Sequence, residues 1–193
     1  MDIKKGVSYI AFGYLLTLVN LNLNFGSFAV NVFPNFIGWI LFFLAFDKLG
    51  PYASDKPFLK WTSLILVILA GTTWILGIAK PELDADLLTT IMGVISVVYL
   101  FILFGVLEQI AGDYHSSRAS TIHMLKILNP VLYVAFVVSS LGFISSNLSP
   151  TLGGLAAVIG IAAIVAAIVT LVVLFQLRKE INSQPTMLDN QQF

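Results

Sequence analysis

Five asparagines are the first residues in this chain whose spacing suggests a site. Asn20, Asn22, Asn24, Asn31 and Asn35 fall within the uncharged stretch 20–38, which also holds one proline, Pro34. Each carboxamide offers two N–H donors and a carbonyl acceptor. A row of them suits a neutral polar ligand, oriented as sparse polar groups orient ligands in apolar pockets. The titratable residues suggest less. Glu108, Asp113, His115 and His123 are close in sequence, but no ligand spacing such as His-Glu-x-x-His is present, and a solvated loop accounts for them. Neither histidine belongs to a Ser-centred signature such as Gly-x-Ser-x-Gly. The absence of cysteine excludes disulfides, thiolate metal sites and thiol nucleophiles. No phosphate loop or dinucleotide fingerprint occurs. The expectation is a protein that is not an enzyme, with no metal and no cofactor.

The elements that would position the asparagines follow from composition. The chain is 58% hydrophobic and 10% charged, with a mean hydropathy of +0.94, against about 25% charged residues in soluble domains. Such a chain belongs in a lipid bilayer. Zero net charge gives no reason to expect nucleic acid as a partner. Six apolar runs are present: Gly6–Val19, Phe36–Phe46, Phe58–Ala79, Leu87–Leu107, Ile127–Ile144 and Leu152–Leu177. A span needs about 20 residues, which the third, fourth and sixth runs meet, while the first two are short. Lys4 and Lys5 before the first run resemble a signal-peptide head, but no small-residue cleavage site follows, so the first run is expected to stay as an uncleaved helix. No ionisable residue falls in the middle of a run, which disfavours a proton-driven pump.

Loop charge sets the threading. Lys4, Lys5, Lys48, Lys56, Lys60, Arg118, Lys126, Arg178 and Lys179 alternate onto one side, leaving only Lys80 opposite, beside Glu82, Asp84 and Asp86. By the positive-inside rule the expected fold is an all-α membrane protein of six transmembrane helices, with N and C termini cytoplasmic. Residues 1–180 form a single transmembrane domain and 181–193 a flexible cytoplasmic tail. Trp39, Trp61 and Trp74 fall near the expected interfaces, where aromatic belts form.

The asparagine stretch then faces outward. Asn20, Asn22 and Asn24 alternate with Leu21, Leu23 and Phe25, a period of two rather than 3.6. Gly26-Ser27 suits a type II′ turn. Folding there pairs Phe25 with Phe28, Leu23 with Val30 and Leu21 with Val32, all apolar. A β-hairpin over about 20–33, between the first two helices, is expected on the outer side; the alternative is a first helix running on to Phe25. Unpaired strand edges cannot face lipid, so the hairpin has to sit at the interface or under neighbouring helices. In the sixth run, Gly153, Ala157, Gly160, Ala163 and Ala167 recur at spacings that let helices approach closely in lipid. They predict packing within the bundle or a face for another subunit, a protein partner or a second copy.

The segment Asn22-Leu-Asn-Phe-Gly-Ser27, then Asn31-Val-Phe-Pro34-Asn-Phe-Ile-Gly38-Trp39, resembles small multi-pass membrane proteins of Gram-positive bacteria. In these an asparagine-rich strand and a Pro-x-Phe-Ile-Gly-(Tyr/Trp) helix start recur. The resemblance covers about the first 50 residues. It implies a bacterial plasma membrane and implies no activity or site. In size and helix number the chain is also similar to the vitamin-binding subunits of energy-coupling-factor transporters, although their Ala-x-x-x-Ala spacing belongs to the first helix and here stands in the sixth run. Two functions are expected in order: a small-solute transporter or substrate-capturing membrane subunit, then a non-catalytic structural or regulatory subunit.

Overall fold

The computed structural model describes residues 2–18, 22–25, 28–31, 34–54, 56–79, 86–144 and 150–183, with backbone alone at 22–25, 28–31, 86, 136–144 and 150–156. The seven helices begin and end where local chemistry dictates. α1 (Ile3–Leu18) starts at Asp2, whose carboxylate accepts the Lys5 N–H at 3.0 Å, satisfying one of the orphan donors of the first turn. α2 (Asn35–Leu49) follows Pro34 and stops at Gly50, which takes φ 56, a left-handed backbone that glycine adopts without a Cβ penalty. α3 (Pro51–Ser54) and α4 (Pro57–Ala79) each place proline at their first position, where the missing N–H costs nothing. α5 (Asp86–Asp113), α6 (Ala119–Ile144, with Pro130 inside) and α7 (Pro150–Ser183) complete the chain.

The expected fold, six spanning helices with a β-hairpin over about 20–33, is corrected here. Among the described residues there are seven helices. Three segments among the described residues are long and apolar enough to cross a bilayer: Pro57–Ala79, Leu87–Asp113 and Ala157–Ser183. α1 and α2, with 16 and 15 residues, rise only about 24 and 22 Å at 1.5 Å per residue, short of about 30 Å of hydrocarbon. Extended structure among the described residues is limited to β1 (Asn22–Phe25) and β2 (Phe28–Asn31), antiparallel, with Phe25 opposite Phe28, Leu23 opposite Val30 and Asn22 opposite Asn31. Two strands of four residues do not alter the helical class of the fold. Leu21, Val32 and the Gly26-Ser27 turn lie outside the described residues. So does 184–193 of the expected tail, while α7 runs on through Ser183.

The six longer helices form a ring in the order α1, α2, α4, α5, α6, α7, closed by α7 against α1, and β2 runs beside α4. Among the described residues α1 and α2 cross closely. A Cβ built on Gly38 would stand 2.6 Å from the Gly13 carbonyl oxygen, and one on Gly13 would stand 2.8 Å from the Gly38 carbonyl oxygen. Only glycine at both positions lets the two backbones meet.

One end of the ring gathers the basic residues. Gly6 packs on Leu49 and Lys48, Lys60 pairs with Asp47, and Arg118 approaches Glu180 at 3.6 Å. The core lies in that half. Val7, Ile10, Phe42, Leu49, Leu59, Leu66, Leu103, Leu107, Ile122, Leu125, Leu174 and Leu177 are essentially inaccessible. Toward the other end burial stops: no residue is buried in 71–79, 87–98, 126–135 or 157–165. Exposed Ile68, Ile75, Val94, Val98, Val131, Val134, Ile161, Ile164 and Ile168 give the outer surface the apolar character that a bilayer solvates.

Candidate ligand cavity

Directly beyond the core, inside the ring, is a cavity of about 270 Å³, just below the roughly 300–1,000 Å³ usual for small-molecule sites. Five helices build it. The last turn of α1 supplies Tyr14 and Thr17, and α2 supplies Trp39. Trp39 is 5% exposed, with its ring 5.2 Å from Phe42 and 5.4 Å from Tyr99. It is therefore a packed wall of the cavity rather than part of an interfacial belt. From α5 come Ser96 and Leu100, and from α6 Asn129, Pro130 and Tyr133. Ala163 and Ala167 of α7 form the remaining wall, their small side chains leaving the space open.

Most polar groups around the cavity are already engaged. Thr17 Oγ1 donates to the Tyr14 carbonyl at 2.8 Å and Ser96 Oγ to the Met92 carbonyl at 2.6 Å. Such back-bonding satisfies hydroxyls within a helix. Asn129 Nδ2 donates to Thr170 Oγ1 at 3.2 Å, and Tyr14 also bonds Thr170, which is wholly buried. Thr170 thus ties α1, α6 and α7 together at the base of the cavity. Pro130, next to Asn129, cannot donate a backbone N–H, which breaks one helical bond at the cavity wall. Tyr133 lies against α5: a Cβ on Gly93 would fall 1.6 Å from its hydroxyl oxygen. Only a glycine at 93 accommodates that hydroxyl.

Of the five asparagines only Asn35 has a described side chain, and it is not among the residues that line this cavity. Asn20 lies outside the described residues, and Asn22, Asn24 and Asn31 are placed by backbone, Asn22 opposite Asn31. Asn35 opens α2 one turn before Trp39, with Oδ1 buried and lacking a hydrogen-bond partner among the described residues. Of the small residues in α7, Ala163 and Ala167 face the cavity, Ala157 is exposed, Gly160 has nothing within 4 Å of an added Cβ, and Gly153 is placed by backbone alone. Sequence reasoning missed Ser96 and Asn129. The signal for Asn129 was present: a carboxamide beside a proline within an apolar run, where a polar group needs a reason.

The acidic and histidine residues seal the basic end. Glu108 accepts from His123 Nδ1 at 2.8 Å and from Lys126 Nζ at 3.2 Å, joining α5 to α6. Glu180 accepts from Ser116 and from Ser117, the latter at 3.1 Å, joining the 114–118 turn to α7. Asp113 is bonded by the Tyr52 hydroxyl, and burial, reinforced by that carboxylate, holds Tyr52 well above the usual tyrosine pKa. These carboxylates have separate partners, and among the described residues no three His, Asp or Glu side chains group as metal ligands. No protein-family model, no curated protein and no solved structure matches this chain.

Proposed function

We propose that the protein is a membrane subunit that captures a small solute, or passes it on, through the cavity between α1, α2, α5, α6 and α7. One observation carries this reading. The ring is packed shut at the basic end and unpacked at the other, with the cavity at the boundary. Nine of the ten basic residues lie on the loops and helix ends of the closed end, and the positive-inside rule makes that end cytoplasmic. The open end then faces outward, as capture from outside requires. The resemblance of the first 50 residues to Gram-positive membrane proteins supports a bacterial plasma membrane. The proposed role is binding rather than catalysis, in keeping with a lining of mostly apolar and aromatic side chains. The broad exposed face of α7, through Ile161, Ile164 and Ile168, favours a second reading, a structural or regulatory subunit without a ligand.

Two measurements test the proposal. Native mass spectrometry of the protein extracted in mild detergent is expected to retain a small molecule that is lost in Ala163→Leu. A sole cysteine introduced at Ser27, in a chain with no other, is expected to react with an impermeant thiol reagent in intact cells. Labelling only after permeabilisation overturns outward capture. A wild-type protein that retains nothing, with Ala163→Leu indistinguishable from it, favours the structural subunit.

A further inference from the structure

Resting on the reading of the cavity as a ligand site, the chemistry of its walls fixes the ligand class. None of the described residues lining it carries a charge. An ion placed there would lose its water and gain no counter-ion, which is strongly unfavourable. The Thr17 and Ser96 hydroxyl protons and one of the two Asn129 N–H groups are spent on the protein itself, so the polar lining is sparse. The Tyr133 hydroxyl is different. It lines the cavity, rests on Gly93, and has no hydrogen-bond partner among the described residues. Trp39, Leu100, Ala163 and Ala167 supply apolar and aromatic surface around it.

We infer that the cavity takes an uncharged, largely apolar molecule with a hydroxyl or carbonyl oxygen, which accepts the proton of the Tyr133 hydroxyl. The apolar body lies against Trp39 and over the small side chains of Ala163 and Ala167. The cavity of about 270 Å³ suits a small molecule. Gly93 acts as a positioning residue, since any side chain there displaces the Tyr133 hydroxyl. A lipid acyl chain, having no oxygen at that point, would fill the same space without using Tyr133.

Three bromoarenes of one size separate these cases: 4-bromophenol, bromobenzene and 4-bromobenzoate, added to the full chain in detergent. With Trp61→Phe and Trp74→Phe in place, Trp39 is the only tryptophan and bromine quenches it on contact. The expected result is saturable quenching by 4-bromophenol, about 5-fold weaker binding of bromobenzene, and at least 10-fold weaker binding of 4-bromobenzoate. Tyr133→Phe is expected to bring 4-bromophenol down to the bromobenzene level while leaving bromobenzene unchanged. Ala163→Leu, or Ala167→Leu if the first fails to fold, should abolish saturation for all three. Equal or tighter binding of 4-bromobenzoate overturns the neutral class while leaving the cavity a ligand site. Bromobenzene binding as tightly as 4-bromophenol, untouched by Tyr133→Phe, overturns the hydroxyl contact and points to an acyl chain. Quenching that never saturates, or that ignores the leucine variants, overturns both this inference and the capture reading.

Discussion

Replacing Gly38 by alanine tests the packing on which the cavity stands. The new Cβ would stand 2.6 Å from the Gly13 carbonyl oxygen, 2.7 Å from Thr17 Cγ2 and 3.1 Å from the Thr17 nitrogen. Two of these three are backbone atoms, so no rotamer change relieves the contact. To reach an ordinary 3.4 Å the helices must part by about 0.8 Å, and a gap of 0.5–1 Å forfeits about a quarter to a half of each contact's attraction. Overpacking of this kind costs about 1–3 kcal/mol. The helix propensity gained on replacing glycine by alanine, about 1 kcal/mol, works in the opposite direction and needs a control. Gly160→Ala supplies it, because nothing lies within 4 Å of a Cβ there. The expected result is that Gly38→Ala melts below Gly160→Ala by about 2–12 °C, taking about 2–4 °C per kcal/mol for a chain of this size. Melting of the detergent-solubilised protein, followed by far-UV circular dichroism, gives both numbers. Equal melting temperatures would refute the Gly13–Gly38 crossing, and with it the placement of Trp39 in the cavity wall.

Further consequences are open to measurement. Thr170→Val strips the Asn129 amide and the Tyr14 hydroxyl of their shared partner; leaving buried polar groups unpaired costs about 1–3 kcal/mol, read as a lower unfolding midpoint. Tyr52→Phe is expected to flatten the alkaline limb of the stability–pH profile. A tyrosine whose folded pKa is raised by burial and by Asp113 stabilises fully below its unfolded value near 10. That contribution is lost as pH climbs from there through the folded value, so the wild type should fall more steeply above about pH 10 than the variant. Glu108→Gln breaks the contacts to His123 and Lys126, but those side chains are 58% and 24% exposed. Pairs of this kind contribute about 1 kcal/mol or less, and the difference between variant and wild type should shrink as salt is added.

How legible the molecule was in its sequence depended on whether a feature is local. The runs Phe58–Ala79, Leu87–Leu107 and Leu152–Leu177 correspond to α4, α5 and α7 because uninterrupted apolarity over about 20 residues has one stable outcome in a bilayer. The first two runs were too short to span, and α1 and α2 have that shortness. The close helix crossing was sought in α7, where small residues recur every fourth position. Among the described residues a close crossing occurs between Gly13 and Gly38, one glycine on each of two helices. A lone glycine carries no spacing to detect, and only the antiparallel meeting of two segments gives it meaning. The cavity was hidden for the same reason. Tyr14 and Ala167 both line it from nearly opposite ends of the chain, with nothing local to connect them.

The shortness of α1 and α2 also explains why there is a cavity at all. Both start or finish at the basic end, and both give out after about 24 Å or less, whereas the 28 residues of α5 and the 34 of α7 continue for about 42 and 51 Å. Beyond Leu18 and Asn35 the long helices lose two of the ring's members. Their inward faces then have no partner helix, which is why burial ends at Tyr99 on α5, at Leu125 on α6 and at Ala166 on α7 among the described residues. Ala163 and Ala167 widen the gap, where larger side chains would have filled it. The cavity therefore arises from missing helix length and small side chains rather than from a cluster of polar residues. Lengthening α1 by one helical turn of leucine and alanine after Leu18 should close it, abolishing ligand retention while raising the melting temperature. A longer α1 that leaves retention intact would show that the opening has another cause.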